Sequence, residues 1–333
     1  MRVQILEMLR CPQCAGRLTL EDDCRVGERI ESGSLICVSR AHRYPIRNFI
    51  PRFVTGSNYA DNFGVQWNRF RQTQLDSYSG YPISAERFWK STGWTPSQLA
   101  GQWVLDAGCG AGRFAEIVLQ AGAKVLAVDY STAIDACYAN LNQYPDLHAV
   151  QGDIYALPLM KGFFPYVYSL GVLQHTPGVA AAFGALPPMV AEGGRLSVDI
   201  YENSWRSKLL PKQWLRPITR RVPQQRLFAT LQKWVPRLFS LSCAVGRVPV
   251  VGPALRNLVP VANYTGKLPL TKQQQLEWSL LDTFDWYAAA YDSPQTARTL
   301  ARWCREAGMR QIEVTKAVQL VARGIVVHES PRC

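Results

Sequence analysis

A short apolar strand that runs into a glycine-rich turn and then a helix restricts this chain more than any other feature. Trp103-Val-Leu105 leads into Asp106-Ala-Gly108-Cys-Gly110-Ala-Gly112, and Arg113-Phe-Ala-Glu-Ile-Val-Leu119 follows with helical apolar spacing. Glycines in such a turn admit positive φ and let a ligand approach the backbone closely. Strand and helix patterns then alternate. Val125-Leu-Ala-Val128 reads as a second strand, and a third lies around His148-Ala-Val-Gln151. This order predicts an α/β fold, doubly wound about a mostly parallel sheet, with its ligand at the strand C-terminal ends. The glycine spacing also says which ligand. A dinucleotide site, G-x-G-x-x-G, needs glycine at position 113, and Arg113 stands there. The chain reads G-x-G-x-G with Asp106 two residues before the first glycine, which suits a cofactor bearing a cationic ammonium. Asp129, 23 residues after Asp106, closes the second strand, where a carboxylate can accept hydrogen bonds from both ribose hydroxyls. Gly152-Asp153-Ile154 closes the third, placing a side chain and the next backbone N–H to read an adenine edge.

These residues resemble the class I methyltransferases that use S-adenosylmethionine, over about residues 58–202 and 294–327. Phe164-Pro-Tyr-Val-Tyr-Ser-Leu170-Gly171-Val-Leu-Gln-His175-Thr-Pro177 is similar to the fourth-strand motif of the small-molecule branch, typified by quinone-biosynthesis methyltransferases. Pro165 replaces the usual acid there. Pro187-Pro-Met-Val-Ala-Glu-Gly193-Gly194-Arg-Leu-Ser-Val-Asp199 resembles the turn entering the fifth strand. No N/D-P-P-Y/F motif follows the fourth strand, which argues against amino methylation of adenine or glutamine. The resemblance implies a seven-stranded sheet and a cofactor set of Asp106, Gly108, Gly110, Gly112, Asp129, Tyr130, Asp153, Ile154 and Leu170. His175, one of four histidines, sits just beyond the fourth strand. It is the candidate catalytic base or substrate contact, set against the plainer reading of a packed loop histidine. Methyl transfer of this class rests mainly on proximity and in-line alignment.

Residues 1–52 read as a separate module. Cys11-Pro-Gln-Cys14 is a C-x2-C knuckle, with Cys37 and His42 farther on. Zinc favours four tetrahedral N/S ligands, and a segment this short benefits from a metal staple because its own core is small. The alternative is a set of ordinary buried thiols. The segment from Leu9 to Pro51, with its Tyr44-Pro45-Ile46 and Ile50-Pro51 elements, is similar to the short zinc-ribbon domain of the methyltransferase-activator family. The expected ligands are Cys11, Cys14, Cys37 and His42. The commoner pattern would put a cysteine at position 40, where Arg40 stands, and one extra residue separates Cys37 from His42. Cys24 reads as structural.

Residues 53–100 form an aromatic connector, with Phe63, Trp67 and Phe70 spaced along one helical face. They pack on the next domain or form a lid over the cofactor. The methyltransferase domain is expected over 101–202 and 291–333, with Ser293-Pro294 opening a helix that runs to 307. Between them, residues 203–290 form a basic helical insert after the fifth strand. The net charge of +12 resides there: from Asn203 to Gln275 there are 13 Lys and Arg and no Asp or Glu. Three uses compete: a helical cap over the substrate, a membrane-surface patch meeting a lipid-linked acceptor, and RNA binding. Ribosomal-RNA guanine methyltransferases also pair a zinc module with this fold. Apolar residues near Trp205 and Trp286 are expected to line the pocket, with most arginines facing outward or toward an anionic acceptor group and Leu281–Tyr287 as a further pocket segment.

No stretch reads as a membrane span, and the apolar N-terminal stretch is too short for a signal peptide and is interrupted by Glu7. The expected location is the cytoplasm, and the nine cysteines read as thiols or metal ligands rather than a disulfide framework. The expected function is an S-adenosylmethionine-dependent methyltransferase acting on a small-molecule or lipid-linked acceptor. The alternatives are an RNA methyltransferase and a non-catalytic partner that activates another methyltransferase.

Overall fold

The computed structural model describes residues 1–56, 58–204 and 211–328. The N-terminal module is an antiparallel sheet of β1 (Leu18–Val26), β2 (Arg29–Cys37), β3 (Arg43–Arg47) and β4 (Ile50–Pro51), paired in that order. It is joined to the rest by backbone as well as by side chains. Arg52 forms a parallel bridge with Gln151, and the Phe53 N–H donates to the Gln151 carbonyl at 2.9 Å. The Arg52 guanidinium reaches Asp135 and Gln151. Ile5, Leu9, Leu35 and Ile46 also belong to the same buried apolar cluster as Leu126 and Val150 of the large sheet. The small sheet therefore prolongs one edge of the large one and shares its core.

Helices α1 (Asp61–Arg69), α2 (Asp76–Ser79), α3 (Ile83–Thr92) and α4 (Pro96–Leu99) occupy the connector. The main domain then alternates as its pattern predicts: β5 (Trp103–Ala107), α5 (Arg113–Gln120), β6 (Lys124–Asp129), α6 (Ala133–Leu141), β7 (Leu147–Gln151), β8 (Phe164–Leu170), α7 (Val179–Gly184) and β9 (Val190–Ile200). The insert's helices are α8 (Pro211–Thr219), α9 (Gln224–Gly246), α10 (Gly252–Leu255) and α11 (Lys272–Ala288). The chain closes with α12 (Ala297–Glu306), β10 (Met309–Lys316) and β11 (Leu320–Val326). The seven strands lie in the order β10-β11-β9-β8-β5-β6-β7, with β5 to β9 parallel and β10 and β11 antiparallel. Chain order reverses between β5 and β8, and ligands of such sheets bind at that switch point, beyond the strand C-terminal ends.

The closing helix departs from the sequence reading. It begins at Ala297, with the Thr296 hydroxyl accepting from the Thr299 N–H, and Ser293-Pro294 lies outside it. The reason is a competing use of backbone. Ser293 N–H donates to Gln174, and Gln295 N–H donates to Tyr201, so this stretch runs alongside the end of β9 instead of coiling. Among the described residues no helix is long and apolar enough to cross a membrane.

Candidate active site

A cavity of about 860 Å³ opens at the switch point, within the upper part of the ~300–1,000 Å³ range usual for small-molecule sites. Gly108, Cys109 and Gly110 form its floor, and Gly108, Gly110 and Gly112 all have positive φ, at 93°, 53° and 89°. Only glycine takes these angles without strain, so the loop can bend back beneath a ligand. A Cβ on Gly110 would stand 3.3 Å from the Trp67 indole nitrogen, so α1 lies over the loop. Tyr59, Phe63 and Trp67 line the cavity from this side.

Asp129, at the end of β6, lines the cavity with a fixed carboxylate. Oδ2 accepts the Gly110 N–H at 2.9 Å, and Oδ1 accepts the Ser131 N–H and hydroxyl at 2.8 and 2.7 Å. Burial pushes its pKa upward. Tyr130, Ile154 and Leu170 line the same space. Three expected cofactor residues are not part of the lining itself, although Asp153 falls between Gly152 and Ile154, which are. Gly112 packs toward Leu141 and Cys137, and Asp153 accepts the Tyr155 N–H at 3.0 Å. Asp106 is buried in β5 opposite Tyr168 of β8, and burial pushes its carboxyl up to about 8. A carboxyl so placed is mostly neutral at pH 7 and shapes the strand end rather than presenting a charge.

His175 lines the cavity beyond β8. Its Nδ1 lies 3.0 Å from the Tyr291 carbonyl oxygen, and its ring packs against Phe63 and Tyr201 at centroid distances of 5.1 and 5.4 Å. A carbonyl can only accept, so the proton on Nδ1 points at Tyr291 and Nε2 is the ring nitrogen left for the cavity. The loop carrying His175 is pinned at its start. The Gly171 N–H donates to Asp199 Oδ1 at 2.5 Å, and Asp199 Oδ2 meets the Arg87 guanidinium at 2.7 Å.

The insert supplies the opposite wall through Lys212, Tyr264, Lys267, Trp278, Asp282, Asp285 and Trp286. The expectation that Trp286 lines the pocket agrees with this placement; Trp205 lies outside the described residues. The wall is strongly polar underneath. Asp282 accepts from Tyr264 at 2.5 Å and from Gln74 at 3.3 Å, and burial pushes its carboxyl up to about 6. Arg113 donates to Ser84 and Gln74 at 2.8 Å each and lies over the Trp278 ring, with burial and then the repulsion of Arg87 pulling it down to about 9. The sequence reading did not single out Arg87, Asp199 or Lys212, and Arg113 appeared there only as the residue that breaks a dinucleotide motif. Their signal is spatial, since each takes its partner from a distant segment. The acidic aromatic stretch 281–287 was the one legible hint.

Residues 105–198 match the methyltransferase-domain family, and residues 3–48 match the Trm112p-like proteins. The chain carries a class I methyltransferase domain behind a Trm112p-like module. A ubiquinone biosynthesis O-methyltransferase from Albidiferax ferrireducens is 30% identical over 116 residues, covering 34% of this chain and 46% of that protein. A malonyl-[acyl-carrier protein] O-methyltransferase from Pectobacterium atrosepticum is 37% identical over 117 residues, covering 35% and 45%. The chain thus spans about half the length of these relatives. The insert has no counterpart in the family match, which stops at residue 198.

In the Trm112p-like module, one ligand atom from each of Cys11, Cys14, Cys37 and His42 lies within 4.8 Å of the others. Two similar turns build the cluster. Cys11 N–H donates to the Gly16 carbonyl and Ala15 N–H to Cys11, while Cys37 N–H donates to His42 and Ala41 N–H to Cys37. Ala15 and Ala41 both have positive φ, at 56° and 54°. In this correspondence Arg40 takes the place of Cys14, and His42 takes that of Gly16. The longer imidazole reaches back to the cluster, with Nδ1 3.4 Å from Cys11 Sγ. The extra residue before His42 is absorbed in this way. A Cβ on Gly16 would stand 3.1–3.2 Å from the Cys37 and Cys14 sulfurs, so the two thiols close over a residue that must be small. Three thiols and an imidazole converging on one point fit zinc.

Proposed function

We propose that this protein transfers a methyl group from S-adenosylmethionine to a hydroxyl of a small-molecule or lipid-linked acceptor. The observation that carries this reading is one cavity with two unlike walls: a glycine loop with the fixed Asp129 carboxylate on one side, and an aromatic, charged insert on the other. S-adenosylmethionine supplies an electrophilic methyl on a sulfonium. Asp129 would hold the ribose hydroxyls with the lone pairs left free by Gly110 and Ser131. Ile154 and Leu170 would flank the adenosine, and Trp67 would cover the glycine loop. Asp106 and Gly112 would act from behind, by shaping the strand ends, while Asp153 would lie at the adenine edge beside Ile154. His175 Nε2 would take the acceptor's proton as the new bond forms, while Asp199 and Arg87 hold its loop in place. Trp286 and Trp278 suit an apolar or aromatic acceptor body. An acceptor with an apolar tail would arrive from a bilayer, so peripheral membrane contact belongs with this reading. Cys11, Cys14, Cys37 and His42 would hold zinc as a structural staple, since all four positions are filled by protein and none is left for substrate.

Calorimetry with S-adenosylmethionine tests the cofactor wall. The wild type should bind, and Asp129→Ala should lose about 2–3 kcal/mol, or roughly 30- to 150-fold in affinity, as expected for a charge-assisted contact. Equal binding by both proteins would remove Asp129 from the cofactor site.

A further inference from the structure

Helix α8 is built inside out. Its one buried arginine, Arg216, is 8% exposed; it ion-pairs with Asp292 and donates to the carbonyls of Ala289 and Tyr291. Lys212, one turn earlier, also points inward, with its ammonium 5.0 Å from the Tyr201 ring centroid and 5.9 Å from that of Trp286, at the acceptor wall. The apolar residues face the other way. Trp214 is 69% exposed, Leu215 40% and Ile218 66%. Their spacing of one and four residues puts them on one face. A globular helix normally buries such a stripe and exposes its charges. Here the packing of the core does not account for the apolar face, because the inward face is already filled by charged side chains with named partners.

Charge says what covers it. Exposed Arg220 and Arg221 follow the helix directly, and the acid-free stretch Asn203–Gln275 continues with exposed Arg226, Lys233, Arg237 and Arg247. The same stretch holds ten of the eighteen large apolar side chains that are exposed among the described residues, including Trp234, Leu241 and Val250 at 95%. Cations and exposed Trp, Leu, Ile and Val on one segment are the signature of an interfacial helix on an anionic membrane. RNA would answer the cations and leave the aliphatic residues without a partner. A second copy of this face would bring like charges together.

We infer that α8 docks onto an anionic phospholipid bilayer, with Leu215 and Ile218 in the interface and Arg220 and Arg221 on the headgroups. The inner face of the same helix reaches the acceptor wall through Lys212. A lipid-linked acceptor would therefore pass from bilayer to cavity along the helix that meets both. The direction of that passage rests on the proposed function; the docking itself rests on the surface alone.

The test is co-sedimentation of the full chain with vesicles of phosphatidylcholine, alone or mixed with phosphatidylglycerol, alongside S-adenosylmethionine calorimetry on each protein. The wild type should bind only the anionic vesicles, and more weakly as salt rises. Ile218→Glu should lower vesicle affinity at least tenfold, and the surface pair Arg220→Gln with Arg221→Gln should do so too, with cofactor affinity unchanged in both. Equal binding to neutral and anionic vesicles, vesicle binding untouched in both variants, or binding to structured RNA with vesicles ignored would overturn the inference. In each of those cases intact cofactor binding would leave the proposed function standing. Loss of cofactor binding with vesicle binding preserved would do the reverse.

Discussion

The two walls of the cavity are held by different means. The strand-end wall is made of backbone: three positive-φ glycines, the ends of β5, β6 and β8, and a carboxylate caught by the N–H groups of Gly110 and Ser131. The insert wall is made of side chains that meet across long stretches of chain, such as Arg216 with Asp292 and Gln74 with Asp282. A wall of the first kind recurs wherever the strand–turn–helix pattern recurs, and the family match covers it. A wall of the second kind can be replaced without disturbing the first. Under the proposed function, the difference separates a general cofactor site from a particular acceptor site.

The largest expected effect concerns what supports the strand-end wall. Removing the zinc proposed for the Trm112p-like module, by chelation or by Cys14→Ser, should cost on the order of 10 kcal/mol of local folding free energy. Residues 1–52 should exchange their amide hydrogens first. Because Arg52 and Phe53 pair with Gln151 at the end of β7, the Gly152–Ile154 corner should loosen next and cofactor affinity should fall. Hydrogen exchange that leaves this corner unchanged would mean the two sheets are mechanically independent.

Breaking the insert wall should act on the other side. Arg216→Met leaves the buried Asp292 with only the longer contact to Lys212, at 3.8 Å, and should cost up to about 3 kcal/mol. Limited proteolysis should then cut within 203–290 while S-adenosylmethionine affinity changes less than threefold. Equal loss of cofactor binding would show that the walls are not separable.

At the seam between them, His175→Ala should lower kcat by about 10²- to 10⁴-fold at unchanged cofactor affinity, as for loss of a general base. A kcat within twofold of wild type would make His175 a packing residue.

The smallest effect is a change of slope. The Asp106 carboxyl sits near 8 when folded, because of burial, against about 3.9 unfolded. The folded state therefore keeps a proton that the unfolded state releases. Stability from this group is full below about pH 4 and is lost as pH rises toward 8. Asp106→Asn removes the titration, so its melting temperature should fall less than that of wild type between about pH 5 and 8. Parallel melting curves would place Asp106 in a more solvated setting.

The contrast between the walls also explains what was legible in the sequence. The glycine spacing, the acids at three strand ends and the Cys-x-x-Cys turn are local patterns, so the fold, the glycine loop and the convergence of Cys11, Cys14, Cys37 and His42 could be read from neighbouring residues. Arg87 and Asp199 sit in unremarkable local sequence and acquire meaning only as a pair. The start of α12 was misplaced for the same reason: Ser293-Pro294 has the composition of a helix start, yet Gln174 and Tyr201 take the backbone there. In the insert, the missing acids revealed an unusual surface, while the inward turn of Lys212 and Arg216 had no local signal.

The most direct measurement is a crystal structure with S-adenosylhomocysteine bound. The predicted result has the ribose hydroxyls on Asp129, the adenine beside Ile154, and the sulfur turned toward the wall formed by His175, Tyr201 and Trp286. A ligand whose sulfur faces away from the insert, or that binds clear of Asp129, would contradict the account.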